Sequence, residues 1–168
     1  MSLPKFPDSQ IDQGHPLFDV FSHTVSVFKC GENSIHGAPH WHKVYTFAMD
    51  LSKATGADPK VVGCFALLHD SCREDDGGDP YHGIRAADSL PFIKASLPSL
   101  AELNDEQKRL LDYAIRYHVD GEVSDDPTIG TCWDADRLDL GRVGIVPDEK
   151  YMSTLRGKEL ARGQNIHE

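Results

Sequence analysis

The sequence predicts an all-α fold in a single domain, and three observations support this prediction. No stretch of the 168 residues shows the sustained period-two alternation of apolar and polar residues that is typical of a strand. Apolar residues instead recur at intervals of three and four, as they do on one face of a helix. Several of these runs begin with a helix start signal, such as Asp58-Pro59. We therefore expect one helical domain over residues 1–168, a length that supports a substantial core.

The bulk composition argues against several classes of function. The formal net charge is −10 at pH 7, from 17 basic and 27 acidic residues, so a nucleic-acid partner is disfavoured and so is an anionic membrane surface. No apolar run reaches the roughly 18 residues of a membrane span. The four cysteines show no Cys-x-x-Cys spacing and the N-terminus does not resemble a signal peptide. We therefore expect a cytoplasmic protein with reduced thiols.

The N-terminal part of the chain predicts an irregular segment followed by two helices. Residues 1–15 are punctuated by Pro and Gly. The first helix is predicted from about Pro16 to Lys29. The second is predicted from about His40 to Thr55, where Gly56 follows as a stop signal.

The second helix brings three histidines with it. His40 lies four residues before Val44 on the apolar stripe and is predicted to face the core, whereas His42 lies off that stripe and is predicted to be exposed. His36 lies in the preceding turn, close enough to line a site there. Trp41 and the first helix are candidates for a contact in a homo-oligomer.

The stretch from Val61 to Asp70 is the centre of the predicted fold. Residues 61–68 are all apolar or glycine, which predicts a helix that is buried on every side. This helix ends on His69 and Asp70, so two polar side chains arrive in the interior. An unpaired buried charge costs several kcal/mol or more, so both need partners: either hydrogen-bonded core groups or a shared divalent cation.

A polar, glycine-rich loop follows, from Arg73 to Pro80. Such a loop either covers a site and admits substrate or is a solvated acidic loop, and the sequence leaves both interpretations open. Cys72 lies near His69 and could be a soft metal ligand, although a bystander thiol is the simpler interpretation.

Four further helices are predicted in the remainder of the chain. One runs from about His82 to Leu90, where Pro91 disturbs it, and residues 97–100 are a connector. The next begins with the capping-box sequence Asn104-Asp105-Glu106-Gln107 and carries His118. Another follows Asp125-Asp126-Pro127, and the last is predicted from about Pro147 to Arg162.

Six residues from five predicted helices are candidate metal ligands. Five of them continue the apolar stripe of their helix, and the sixth, Asp70, is adjacent to a residue that does. Asp134, in contrast, is predicted to face outward. The six are His40, His69, Asp70, His82, His118 and Asp136. Taken singly, each residue is more simply a satisfied core group, but helices that pack their apolar faces together would bring all six to one place. Imidazole and carboxylate suit Fe, Mn, Zn, Co or Ni, or Mg if carboxylates dominate.

Three segments of the chain, in order, resemble the HD-domain superfamily, whose pattern is H…HD…D. They are His40-Trp41-His42-Lys43-Val44, Ala66-Leu67-Leu68-His69-Asp70 and Asp134-Ala135-Asp136-Arg137-Leu138-Asp139, and the resemblance covers roughly residues 35–145. It implies that His40, His69, Asp70 and Asp136 bind one divalent metal. His82 and His118 match positions where some members bind a second metal or contact substrate. The chain departs from the pattern at Lys43, where many members have Arg.

The resemblance implies a metal-dependent phosphohydrolase that attacks a nucleotide or another small phosphate ester with metal-activated water. In that reaction Asp70 would also orient or deprotonate the water. His82 and His118 would donate a proton to the leaving oxygen, bind a second ion or contact phosphate. Lys43, Arg85 and Arg137 are candidates for holding the phosphate.

Two other functions stay open at this point. The same ligand order occurs in di-iron members of the superfamily, such as myo-inositol oxygenase and its phosphonate-cleaving relatives, which predicts two irons and oxygen-dependent turnover. Alternatively, the protein is a non-catalytic module whose metal is structural or whose site binds a regulatory nucleotide. The Gly-Tyr-Pro signature of the cyclic-di-GMP branch is absent after His69-Asp70.

Overall fold

Helices form the regular structure of residues 11–165, the part of the chain that the computed structural model describes, and no strand occurs in that part. In chain order the α-helices are α1 (Phe18–Val27), α2 (Ala38–Thr55), α3 (Pro59–Leu68), α4 (His82–Ile93), α5 (Pro98–Ala101), α6 (Asp105–Tyr117), α7 (Pro127–Arg137) and α8 (Leu155–Asn165). The prediction of an all-α fold is confirmed. Residues 1–10, which include most of the segment predicted to be irregular and the N-terminus judged unlike a signal peptide, lie outside the described residues.

Helix α3 lies at the centre of the core. Every residue from Val61 to Leu68 is buried, and α1, α2, α6 and α7 all pack against this helix. Asp58 caps it by accepting a hydrogen bond from the Lys60 N–H, and Pro59 occupies the first helical position, as predicted. Because α3 is surrounded, its C-terminal end delivers His69 and Asp70 into the interior.

Five helix ends meet around that point. His40 lies in the first turn of α2, His69 directly follows α3, and His82 opens α4. His118 directly follows α6, and Asp136 lies in the last turn of α7. Polar side chains at helix ends can face a common cavity while the helix bodies pack around α3, so the core and the candidate site share one set of elements.

The predicted start and stop signals act as expected at most helix ends. Asn104 and Gln107 form the capping box of α6, and Asp126 caps α7 by accepting from two backbone N–H groups. Gly56 ends α2 in the left-handed conformation, with φ of 75°, which a glycine adopts without a Cβ penalty.

Helix boundaries differ from the prediction at four places. α4 continues through Pro91 to Ile93, since a proline removes only one helical hydrogen bond. Residues 97–100 contribute to the short helix α5 instead of a plain connector, and His118 lies in a 3₁₀ turn just beyond α6. Pro147 does not start the last helix: a 3₁₀ turn at Glu149–Tyr151 comes first, and α8 begins at Leu155.

Three side chains are placed differently from the prediction. His42 is 8% exposed because Phe21 of α1 stacks on its ring, with ring centroids 5.3 Å apart. Trp41 is 2% exposed and packs edge-to-face on Phe28, so it is a core residue and its proposed role in an oligomer contact is wrong. Asp134 does not face outward but is fully buried, and the backbone N–H groups of residues 153 and 154 donate to its carboxylate.

The helices of the described region include none that combines the length and the apolar character needed to cross a membrane.

Candidate metal centre

Four of the predicted ligands present their donor atoms to one another in the core; we call this group site 1. Nε2 of His40 lies 3.1 Å from Nε2 of His69 and 3.2 Å from Oδ1 of Asp136. Nε2 of His69 lies 3.3 Å from the same oxygen, and Oδ2 of Asp70 lies 3.4 Å from each imidazole nitrogen. Ligand atoms bound to one ion at about 2.0–2.2 Å are separated from each other by about 3.0–3.6 Å. Site 1 therefore has the dimensions of a divalent metal site.

A second donor group adjoins the first; we call it site 2. Nε2 of His82 lies 2.9 Å from Nε2 of His118 and 3.0 Å from Oδ1 of Asp70. Nε2 of His118 lies 3.6 Å from that oxygen. Asp70 thus faces site 1 with Oδ2 and site 2 with Oδ1. The buried donor atoms of His69, Asp70 and His118 lie close enough together to hold a metal ion, and His82 adjoins them.

Each of the four imidazoles anchors its other nitrogen on an oxygen atom. Nδ1 of His40 lies 2.7 Å from Oδ2 of Asp139, and Nδ1 of His69 lies 3.1 Å from the carbonyl of Ala66. Nδ1 of His82 and Nδ1 of His118 each lie 2.6 Å from a carbonyl, that of Asp79 and that of Ile115 respectively. Carbonyl and carboxylate oxygens only accept, so each Nδ1 donates and each neutral ring keeps a bare lone pair on Nε2. Two lone pairs that face each other at 2.9–3.1 Å repel unless the nitrogens share a cation, either a proton or a metal ion. Metal-bound histidines show the same anchoring of the other nitrogen.

The carboxylates give the centre a strong preference for positive charge. Burial lowers the pKa of His40, but hydrogen bonds to carboxylates, Asp136 first among them, outweigh burial and raise it to about 9. Burial likewise opposes protonation of His69, while the charges of Asp70 and Asp136 raise its pKa to about 10. Burial raises the pKa of the Asp70 carboxyl, yet His69 and the surrounding imidazoles hold it well below its usual range. The donor set therefore takes up positive charge, as protons or as a metal ion.

His36 is a fifth imidazole at the centre, and it faces Asp70 with Nδ1, whereas the other four face the donor groups with Nε2. Its Nδ1 lies 3.5 Å from Oδ2 of Asp70, and its Nε2 lies 3.2 Å from the carbonyl of Asp76 in the polar loop. The indole of Trp41 donates to the His36 carbonyl at 2.6 Å. His36 therefore lines the site, as the sequence predicted, and connects it to the loop.

A cavity of about 460 Å³ opens onto both donor groups. Asp70, Asp136 and the imidazoles of site 2 form part of its wall. The polar loop contributes Arg73 and residues 77–80, and the 3₁₀ turn after α7 contributes Leu140, Arg142 and Val143. The loop from Arg73 to Pro80, for which the sequence allowed two interpretations, thus borders the site, and most of its residues are exposed.

Of the three residues predicted to bind phosphate, one lines the cavity and the other two lie elsewhere, against carboxylates. Arg137 lines the cavity, although its Nη1 donates to two backbone carbonyls. Nζ of Lys43 lies 3.7 Å from Oδ1 of Asp139, and Arg85 donates to the carboxylate of Asp79. Lys43 and Arg85 are not among the described residues that line the cavity.

Sequence reasoning missed three residues that contact the ligands or line the cavity. Asp139 orients His40, Arg73 has its Nε 3.7 Å from Oδ1 of Asp70, and Arg142 lines the cavity. Each follows an acidic residue of the site by three positions, but all three lie outside the α-helices, so the helical periodicity of the sequence did not indicate them. Cys72 belongs to neither donor group.

Comparison with known proteins identifies no relative: no family model, no curated protein and no solved structure matches the chain. Inference about function therefore depends on the donor groups and the cavity.

Proposed function

We propose that the protein is a metal-dependent phosphohydrolase of the HD-domain type. The proposal depends on one observation above all: Nε2 of His40 and Nε2 of His69 lie 3.1 Å apart, and each lies 3.2–3.4 Å from a carboxylate oxygen of Asp136 and of Asp70, although the four residues come from the ends of three helices. The order of these residues in the sequence does not by itself require such convergence. Their donor types fit a divalent ion of the Mn, Fe, Co, Ni or Zn series.

A divalent ion at this position would supply a water of lowered pKa and would polarise a phosphoryl oxygen. Asp70 lies between the two donor groups, so its two oxygens can bind an ion on either side, and its position can orient the attacking water beside them. Asp139 accepts from Nδ1 of His40 and keeps the Nε2 lone pair of His40 aimed at site 1. The cavity would admit the ester to the metal position, and its positively charged arginines would attract the negatively charged phosphate.

His82 and His118 fit the role of metal ligands better than that of proton donors. Their Nδ1 protons are committed to the carbonyls of Asp79 and Ile115. Burial lowers the pKa of His118, which favours a neutral ring with no proton on Nε2. We therefore assign these two histidines, with Oδ1 of Asp70, to a second ion.

Elemental analysis tests this assignment directly. Wild-type protein is expected to retain metal and to release phosphate from small esters, and Asp70→Ala is expected to lose both because it removes the residue shared by the two sites. His82→Ala should lose only the ion of site 2. Asp50→Ala changes an exposed aspartate of α2 and should retain both properties. Undiminished metal content or turnover in Asp70→Ala, with helical content preserved by circular dichroism, would contradict the proposal.

A second candidate is oxidation by a di-iron centre. The observation that favours it is the nitrogen-rich donor set, in which one carboxylate, Asp70, lies between two pairs of imidazoles. Imidazole and carboxylate together suit iron. Two irons per chain and a turnover that stops under anaerobic conditions would establish this function, whereas phosphate release that continues without oxygen would exclude it.

A further inference from the structure

Two arginines of the cavity wall are held in place by neutral partners. Nη1 of Arg73 donates to the carbonyls of Asp75 at 2.8 Å and Gly77 at 3.1 Å. Nε of Arg142 donates to the carbonyl of Ile35 at 2.9 Å, and its Nη1 donates to another carbonyl at 3.0 Å. Both side chains are largely buried. Their orientation is therefore fixed, and each guanidinium has one carboxylate oxygen nearby, Oδ1 of Asp70 at 3.7 Å for Arg73 and Oδ2 of Asp139 at 3.9 Å for Arg142.

These two guanidinium groups flank the shared carboxylate of Asp70. Nε of Arg73 is on the Oδ1 side at 3.7 Å; it is buried and has no hydrogen-bond partner among the described residues. Arg142 is on the other side, with Nη2 3.4 Å from Nδ1 of His36, which itself lies 3.5 Å from Oδ2 of Asp70. A substrate over Asp70 thus has two guanidinium groups nearby, Arg73 directly beside the carboxylate and Arg142 behind His36.

The carboxylates nearby already have partners of their own. Asp79 accepts from Arg85, and Asp139 lies against His40 and Lys43, with Nη1 of Arg142 more distant at 3.9 Å. Asp70 and Asp136 face the metal positions, where an ion would balance them. Among the described residues, three arginines and three aspartates line the cavity. With Asp70 and Asp136 assigned to the metal ions and Asp79 paired with Arg85, the three arginines remain to face an anionic substrate.

The same wall offers little for recognising a nucleobase. Among the described residues that line the cavity there is no Phe, Tyr or Trp, and no Asn, Gln, Ser or Thr. Proteins commonly hold bases by stacking on aromatic rings, imidazoles or guanidinium planes and read their edges with amide and hydroxyl groups. The imidazoles of this wall face Asp70 with their nitrogen atoms. The chemistry of the wall therefore favours a ligand with a further charged group over a ligand with a nucleobase.

Building on the proposed hydrolase function, we infer that the substrate is a compact polyanion without a nucleobase: a small phosphate ester that carries a second acidic group, a carboxylate or another phosphate. The ester phosphate lies over Asp70 and the metal positions. The second acidic group is bound by the guanidinium of Arg142, for which a planar carboxylate or phosphate is the natural partner.

The test compares four esters on the Mn²⁺-loaded wild-type protein. 2-Phosphoglycolate and 3-phosphoglycerate carry a second acid, glycerol 3-phosphate carries none, and AMP carries a base. Phosphate release is expected with a kcat/KM at least tenfold higher for the first two. An equal or higher value for AMP or glycerol 3-phosphate would overturn the inference and leave the hydrolase function standing.

Calorimetric titration of the same four compounds separates the two possible failures. Tighter binding of the two-acid esters without phosphate release from any compound would support the ligand class and reject hydrolysis. Binding without preference would reject the ligand class whatever the rate of release.

A variant tests the residue assigned to the second acid. Arg142→Gln is expected to lose the preference for 3-phosphoglycerate over glycerol 3-phosphate, because kcat/KM falls at least tenfold more for the ester with the second acid than for the ester without it. Because Arg142 also supports the Ile35 carbonyl, thermal unfolding is measured in parallel. Arg156→Gln, which alters an arginine on α8 paired with Glu159, is the matched control. An unchanged preference, or an equal loss for both esters in a folded variant, would overturn the role of Arg142.

Discussion

Asp139 controls the orientation of His40, the first ligand along the chain. Its Oδ2 lies 2.7 Å from Nδ1 of His40, and both side chains are buried. In Asp139→Asn the neutral amide is a weaker acceptor, so the ring of His40 is less basic and less firmly held. We expect metal affinity to fall about 10- to 100-fold, the usual effect of removing a partner of a ligating histidine. Competition with a chromogenic chelator measures the change.

Asp50→Asn is the control for this experiment, because Asp50 is an exposed aspartate on the same helix, α2. It alters the net charge equally without touching the centre, so its metal affinity should match that of the wild type. If Asp139→Asn also binds metal as the wild type does, Asp139 does not orient His40 for ligation.

The burial of single residues was predicted correctly where the apolar stripe of a helix shows which of its faces is covered by other helices. His40 and His69 extend apolar stripes, and both are buried as expected. His42 failed because α2 has a second covered face, where Phe21 stacks on the imidazole. Asp134 failed because its partners lie about twenty residues further along the chain. A periodic stripe indicates one buried face, but it cannot show which other faces a distant segment will cover.

At the scale of elements, the close approach of α4 to α6 depends on Gly83. A Cβ at this position would lie 2.7 Å from the carbonyl oxygen of Ile115 and 3.2 Å from Cε1 of His118. Gly83→Ala must therefore push α4 away from α6 and move His82 out of reach of His118. We expect a destabilisation of about 1–3 kcal/mol, typical of overpacking, and a selective loss of the ion at site 2. Urea unfolding and metal stoichiometry measure the two effects.

Gly163→Ala supplies the matched change on α8, where a Cβ would contact nothing within 4 Å. Alanine is the better helix former by about 1 kcal/mol, so this variant should be as stable as the wild type or more so, with an unchanged metal content. Full occupancy of site 2 in Gly83→Ala would mean that helix spacing does not govern that site.

Elements with local start signals were predicted well, whereas the last one was not. The capping box of α6 and the Asp-Pro start of α3 involve residues a few positions apart, so the sequence alone indicates them. The start of α8 is set by Thr154, whose hydroxyl accepts from the Gly157 N–H while donating to Asp134 of α7. That start depends on a tertiary contact, which a local pattern cannot show.

At the scale of the whole molecule, the buried helix α3 explains why the ligands could be predicted and the cavity wall could not. Ligands at the ends of α2, α6 and α7, which pack on α3, and of α4, which packs on α6, meet near His69 once those helices pack. Arg73 and Arg142 reach the cavity from a loop and a 3₁₀ turn, whose paths no periodic pattern determines. The metal centre therefore follows from the helical core, and the groups that select a substrate follow from its connections.

The charge of the centre links the stability of the whole fold to pH. In metal-free protein the pKa values of His40 and His69 rise from the ordinary 6.5 to about 9 and about 10, because the neighbouring carboxylates outweigh burial. The folded state then binds protons that the unfolded chain releases. This contribution to stability is fully present below pH 6.5 and is lost as the pH rises through 9 and 10. Burial also raises the pKa of Cys64 to about 12, which adds a loss of the same sign only where a thiol ionises, above pH 9.

We therefore expect the free energy of unfolding of metal-free protein to decrease between pH 6.5 and 9, by about 1.4 kcal/mol per pH unit for each proton that the folded state retains. Protein saturated with Mn²⁺ should show a much flatter profile, because the ion occupies the place of those protons. Urea unfolding at constant ionic strength, with chelator or with excess metal, gives both profiles. His69→Gln should reduce the slope of the metal-free profile, since it removes one of the two titrating rings. Parallel profiles with and without metal would mean that the ion and the protons do not compete for the same nitrogen atoms.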